Sequence, residues 1–122
     1  MYETYISFYL STGRVHIRSE ALRQIGEPQF VRFLLSNDGR SMIMEPYHKK
    51  VFVSMRVPVG VYGKGEKRRK MEPRCMPLCR LLADHLGWGE GSSYRIPGRV
   101  LPQQGIAKFD LTKAVPIKGE DE

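Results

Sequence analysis

The sequence predicts an α+β, mainly β fold: a small barrel-like sheet with two short helices. Several segments alternate apolar and polar residues, the period-2 pattern of strands that bury one face. Two shorter segments carry residues that start and stop helices, and one turn has the composition of a β-hairpin loop.

The N-terminal segment predicts two strands joined by a turn. "YISFYLS" at residues 5–11 alternates in a β-prone composition, and Gly13 permits the turn. In "RVHI", Val15 and Ile17 fall on one face of the second strand. The other face carries three polar residues: Arg14, His16 and Arg18. We therefore expect a half-buried strand with a solvated basic face.

A short helix, "EALRQI", is expected next. Ser19 is placed to cap its first turn with a side-chain oxygen, and Glu20 suits the positive end of the helix. Gly26 provides the stop, and Pro28 prevents continuation.

A hairpin follows, in which "FVRFLLS" and "SMIMEPY" flank "NDGR". Residues 37–39, Asn-Asp-Gly, supply the left-handed conformation that such a turn requires. A further strand is predicted in "KVFVSMRVPV", residues 50–59. Five methionines are expected to fill irregular gaps in the core: Met42, Met44, Met55, Met71 and Met76.

The last part of the chain opens with a second helix, "MPLCRLLADHL". Pro77 suits its first turn and Gly87 ends it. Four leucines form its predicted apolar stripe: Leu78, Leu81, Leu82 and Leu86. Two strand-like segments follow, "YRIPGRVL" and "IAKFDLTKAVPI".

Length and composition fit one domain of ordinary globular type. The chain has 122 residues, with 41% hydrophobic and 27% charged. We expect a strand–helix–hairpin segment over residues 1–59, a basic connector over 60–74, and a helix with C-terminal strands over 75–117. The first and last segments are expected to pack in the same domain.

The N-terminus lacks the pattern of a signal peptide, and no apolar run is long enough to cross a membrane. Two cysteines, Cys75 and Cys79, stand four residues apart with no others to form a disulfide framework. The sequence therefore predicts a cytoplasmic protein that makes no membrane contact.

A net charge of +7 indicates a polyanionic partner, most often nucleic acid. The basic connector holds much of the excess in six residues: Lys64, Lys67, Arg68, Arg69, Lys70 and Arg74. These could line a phosphate backbone, with Tyr62 stacking on a base. The alternative is a solvated loop with no ligand.

The order strand, "GRV.I", short helix, glycine and hairpin resembles the swapped-hairpin family of AbrB, SpoVT and MazE-type proteins. That family's motif reads approximately G-R-V-V-I-P-x-E-L-R-R-x-L-G, and seven positions match it: Gly13, Arg14, Val15, Ile17, Glu20, Arg23 and Gly26. The resemblance covers about residues 5–47. Arg18 replaces the family's proline, and Ala21 and Leu22 replace its leucine and first helix arginine.

The resemblance implies a homodimer in which two chains exchange hairpins and close a small barrel. A single hairpin is marginal in water because one face stays wet. Such a dimer brings together three candidate DNA-contact residues: Arg14, Arg18 and Arg23. The guanidinium fork suits phosphate and guanine, although these arginines would equally serve as the solvated face of a strand.

Catalysis finds no support in the motifs, and neither a cofactor nor a metal site is predicted. Three histidines occur, His16, His48 and His85, without a recognisable catalytic pattern. Cys75, Cys79 and His85 lack a fourth ligand for a structural zinc site, so buried thiols are expected instead. The prediction is a non-enzymatic DNA-binding protein, a transcription regulator or antitoxin-like. The alternative is a protein-interaction or structural module of a mobile genetic element without a nucleic-acid role.

Overall fold

Antiparallel strand pairing organises the chain. The computed structural model describes residues 2–49, 54–57, 62, 70–71, 74–89 and 91–117. In this part of the chain there are nine strands and two helices: β1 (Tyr2–Tyr9), β2 (Arg14–Arg18), α1 (Ser19–Gln24), β3 (Phe30–Leu35), β4 (Ser41–Tyr47), β5 (Ser54–Arg56), β6 (Lys70–Met71), α2 (Met76–Leu86), β7 (Ser93–Leu101), β8 (Ile106–Asp110) and β9 (Val115–Pro116). A 3-10 turn, Leu111–Lys113, separates the last two strands.

The strands form one sheet in the order β5-β3-β4-β8-β7-β1-β2-β6, with β9 also paired to β7. The sheet curls into a half-barrel, which confirms the predicted mainly β, barrel-like fold with two short helices. Its longest ladder joins β1 to β7, from Tyr2 opposite Val100 to Tyr9 opposite Ser93. Strands from the first and last segments therefore share one sheet.

The hairpin β3–β4 has the predicted turn, with Gly39 at φ 72°. On its outer sides, β3 pairs with β5 and β4 pairs with β8, all within one chain. Both strands thus have neighbours without a second copy, and hairpin exchange is not needed to cover them. The homodimer stays a prediction, and it would have to form through surfaces other than this hairpin.

Helix α2 is hydrogen-bonded at its two ends to two turns of the sheet. At its start, the Cys75 N–H donates to the carbonyl oxygen of Gly13, in the β1–β2 turn, over 2.8 Å. Near its end, His85 Nε2 donates to the carbonyl oxygen of Gly39 over 3.0 Å. Pro77 and the left-handed Gly87 bound the helix as predicted.

The buried face of α2 is narrower than the leucine stripe predicted. Leu78 and Leu82 are buried in the core, and Leu86 packs partly against it. Leu81 is 40% exposed, so its assignment to the stripe was wrong. Because adjacent side chains on a helix point about 100° apart, Leu81 and Leu82 cannot both point directly at the sheet, and Leu82 is the one that does.

Helix α1 begins without the predicted serine cap. Arg18, still extended at ψ 133°, occupies the N-cap position, and no side chain caps the helix. Ser19 is instead the first helical residue and is buried. Strand β2 continues directly into the helix, which leaves no turn in which Ser19 could cap. Gly26, at φ 104°, ends the helix as expected.

The segment predicted as one C-terminal strand is broken after β8. Asp110 accepts hydrogen bonds from the Thr112 N–H and hydroxyl, which stabilise the 3-10 turn. As a result, β7 pairs with β8 from Gly98 onward and with β9 at Tyr94 and Arg95. Pro97, which has no N–H to donate, lies in the gap between these two ladders.

Neither helix in the described part of the chain has the length and apolar character that crossing a bilayer demands.

Candidate nucleic-acid interface

The middle of strand β2 is buried on both faces, where the prediction had a solvated basic face, while Arg14 and Arg18 at its two ends stay partly exposed. Val15 and Ile17 belong to the core. His16, on the opposite face, is only 6% exposed and lies across from the fully buried Ser7 of β1. Apolar and polar residues alternate along β2 as the sequence indicates. The alternation predicts which side chains are polar, but it does not predict that His16 is shielded from solvent.

Arginine and tyrosine side chains cluster on the sheet face opposite the core. We call this the Arg–Tyr face and define it by five residues of β1, β2 and β7: Tyr5, Tyr9, Arg14, Arg18 and Arg95. Each of its three guanidinium groups lies over a tyrosine ring. Such cation–π contacts hold the charged groups in position on a surface that remains partly open to solvent.

Tyr5 is the centre of this arrangement. Arg18 approaches from β2, with its guanidinium carbon 5.2 Å from the ring centroid and its Nη1 donating to the Tyr5 hydroxyl over 3.0 Å. Arg95 approaches from β7 on the other side, 4.4 Å from the centroid. Two positive charges from different strands are thereby held close to one ring.

The second aromatic group of the face lies one step along the same strands. Arg14 lies over the Tyr9 ring at 5.6 Å from its centroid. The same ring contacts the His16 imidazole, with centroids 4.6 Å apart. Arg14 is half-buried here, so it is less available than the predicted solvated arginine.

One guanidinium of the face already has an anionic partner. Arg18 Nη2 lies 2.7 Å from Glu20 Oε1, and this hydrogen bond and the one to Tyr5 raise the pKa of Arg18. Both partners of the ion pair are exposed, which limits such a pair to about 0.2–1 kcal/mol. A phosphate group can therefore compete for Arg18 at small cost.

The structure brings part of the basic connector next to β2. Lys70 pairs with Arg18 in the β2–β6 ladder, and Arg74 forms a bridge with Arg14. Arg74 is exposed. Four other predicted contact residues lie outside the described residues: Lys64, Lys67, Arg68 and Arg69. Arg23 is exposed in the last turn of α1, on a different element from the other two predicted arginines.

Sequence reasoning missed the basic residues of the last two long strands. Arg95, which is half-buried, flanks Tyr5, and the exposed Arg99 lies opposite Lys108 in the β7–β8 ladder. Alternation in "YRIPGRVL" places Arg95 and Arg99 on the face opposite Ile96, so this signal was readable. What the sequence did not reveal was that β7 pairs with β1.

Tyr62 was expected to stack on a base, and the structure contradicts this. Its hydroxyl donates to the carbonyl oxygen of Pro28 over 2.7 Å, and its ring packs against the core. Burial, together with the nearby charge of Glu27, raises the pKa of Tyr62 to about 12. The ring is therefore a structural contact and is not presented to a ligand.

The thiols behave as the sequence predicted. Cys75 and Cys79 are both buried and unpaired by disulfide. Burial and the neighbouring Cys75 raise the pKa of the Cys79 thiol to about 11. His85 is bonded to Gly39, and within the described ranges no three His, Cys, Asp or Glu side chains are grouped to hold a metal ion.

Comparison with protein-family models, with curated proteins and with solved structures finds no match to this chain.

Proposed function

We propose that this protein is a non-enzymatic DNA-binding protein, a transcription regulator or antitoxin-like component, that holds duplex DNA on its Arg–Tyr face. The observation that carries the proposal is the pair of guanidinium groups, Arg18 and Arg95, held over Tyr5 from opposite neighbouring strands. Groups fixed in advance lose less side-chain entropy when they bind.

Basic residues at neighbouring strand positions also support a polyanionic ligand. Arg74 forms a backbone bridge with Arg14, and Lys70 is paired with Arg18 in the β2–β6 ladder. Basic positions of two separate segments therefore lie along β2, where a phosphate backbone could follow them.

The ring contacts favour phosphates over stacked bases as the groups recognised. The face of Tyr5 is occupied by guanidinium groups, so a base could stack there only by displacing them. Backbone phosphates require no such displacement, and most protein–DNA hydrogen bonds are made to them. Duplex DNA is therefore the favoured partner, and single-stranded nucleic acid is an alternative outcome of the test.

The test is a binding titration of labelled duplex DNA at about 50 and 200 mM salt. Arg95→Gln is expected to weaken binding by about tenfold at the lower salt, because a charge-assisted contact is lost. The log–log salt slope should flatten by about one unit. Arg80→Gln removes the same charge from an exposed site on α2 and should behave like the unaltered protein.

A second variant is expected to bind duplex DNA more tightly than the unaltered protein. Glu20→Gln removes the carboxylate that competes for Arg18, and affinity should rise by up to about fivefold. Asp84→Asn, an equal charge change on α2, should produce a smaller rise. The proposal is rejected if duplex DNA does not bind at low salt, or if binding is insensitive to salt and to both interface variants.

We further propose a homodimer, in which two Arg–Tyr faces contact one duplex. The solution mass, measured by sedimentation equilibrium with and without DNA, decides this point. A monomer in both conditions would reject the dimer and leave the single-chain face as the binding unit.

A further inference from the structure

A cavity of about 680 Å³ opens beside the 3-10 turn that follows β8. Its walls come from the start of β1, the middle of β7, strand β8, the β3–β4 turn and the 3-10 turn itself. Sites for small molecules commonly measure about 300–1,000 Å³. The size therefore suits a ligand as large as a nucleotide.

Four cationic side chains from separate elements line this cavity: Arg40, Arg99, Lys108 and Lys113. Arg99 and Lys108 occupy paired positions of the β7–β8 ladder. Cationic side chains from four elements are therefore brought to one cavity, which favours an anionic ligand.

Three carboxylates also line the cavity, but two of them already serve local turns. Asp38 Oδ1 accepts hydrogen bonds from the Ser36 hydroxyl and the Arg40 N–H, over 2.6 and 3.0 Å. Asp110 Oδ1 does the same for the hydroxyl and N–H of Thr112. These bonds lower the pKa of both carboxyls. Both aspartates are therefore charged at neutral pH, and they shape the loops that carry Arg40 and Lys113.

The third carboxylate, Glu3, lies opposite Arg99 in the β1–β7 ladder. The three acidic side chains do not form a cation site, since the described residues contain no such grouping of possible metal ligands. With four cationic groups against three carboxylates, the lining of the cavity retains a net positive charge.

We propose that this cavity binds a phosphate monoester of nucleotide size. Arg40 and Arg99 supply planar guanidinium groups that match two phosphate oxygens, and Lys113 adds a point charge. The inference does not rest on the DNA-binding proposal, since the cavity and the Arg–Tyr face are formed by different residues.

The test is calorimetric titration of the full chain with adenosine 5′-monophosphate and, separately, with adenosine. The monophosphate should bind and the nucleoside should not, because the phosphate supplies most of the charge contacts. Arg40→Gln and Lys113→Gln should each weaken binding at least about fivefold. Both residues are exposed, so neither change should prevent folding. Arg80→Gln, outside the cavity, should leave binding unchanged.

Absence of monophosphate binding overturns the proposal, as does equal binding of the nucleoside. Binding that survives both cavity substitutions overturns it as well. The source of the phosphate is resolved with Arg95→Gln, which weakens the Arg–Tyr face but leaves the cavity intact. If this variant binds a 5′-phosphorylated oligonucleotide more tightly than its 5′-hydroxyl form, the cavity receives a strand end. If it binds the two forms equally and still binds the monophosphate, the ligand is a free nucleotide.

Discussion

The His85 imidazole lies 3.0 Å from the carbonyl oxygen of Gly39, a residue 46 positions earlier in the chain. This hydrogen bond ties the last turn of α2 to the β3–β4 turn. Gly39 is at φ 72°, and a Cβ there would collide with the His85 ring. The turn glycine thus serves both the left-handed backbone and the approach of the helix.

His85→Ala is expected to lower the free energy of unfolding by about 0.5–1.5 kcal/mol, the usual net value of one hydrogen bond. Urea denaturation followed by circular dichroism measures the change. Arg80→Ala, exposed on the same helix, should shift stability by less. Equal effects of the two changes would show that the bond to Gly39 contributes nothing.

Gly98→Ala is expected to destabilise the sheet by about 1–3 kcal/mol or more. A Cβ at this position would lie 2.5 Å from the Lys108 carbonyl oxygen and 2.5 Å from Phe109 Cδ1. The backbone of β8 cannot move without disturbing its ladders. Thermal unfolding should show this loss of stability. Gly89→Ala is the control, because a Cβ at Gly89 would meet only Ser92 Oγ, at an ordinary contact distance of 3.6 Å. A Gly98→Ala protein as stable as the Gly89→Ala protein would disprove the close packing.

Alkaline pH should destabilise the fold through Cys79. Its pKa is raised from 9.0 to about 11 in the folded state, so the unfolded chain loses the thiol proton first. The stabilising contribution is fully present below pH 9 and is lost as pH rises toward 11. The loss reaches up to about 3 kcal/mol. Urea midpoints at pH 7.5, 9 and 10 should therefore fall more steeply for the unaltered protein than for Cys79→Ala. Parallel curves would contradict the assignment.

Tyr62→Phe should cost about 1 kcal/mol, because the phenol donates to the Pro28 carbonyl oxygen in a half-buried setting. Tyr94→Phe is the comparison, since the Tyr94 ring stacks on Trp88 at 4.2 Å and no hydrogen bond of its hydroxyl is found in the described part of the chain. Chemical denaturation of both variants gives the difference. If the two changes cost the same, the bond to Pro28 does not stabilise the connector.

Local signals determined the elements of this protein. Pro77 and Gly87 bound α2, residues 37–39 form the hairpin turn, and alternation placed most strands, because each depends on neighbours within a few positions. The methionines Met42, Met44 and Met55 are buried in the core, as their apolar side chains required.

Only the tertiary structure decided which strands became neighbours. The pairing of β1 with β7 brings Arg95 to Tyr5 across 90 residues of chain, and no local pattern encodes that contact. Likewise, His16 is buried and Tyr62 faces inward because of surfaces contributed by distant segments. The polarity of each side chain is a property of that residue alone. Burial and the clustering of charges depend instead on the contacts between distant segments that form when the sheet curls.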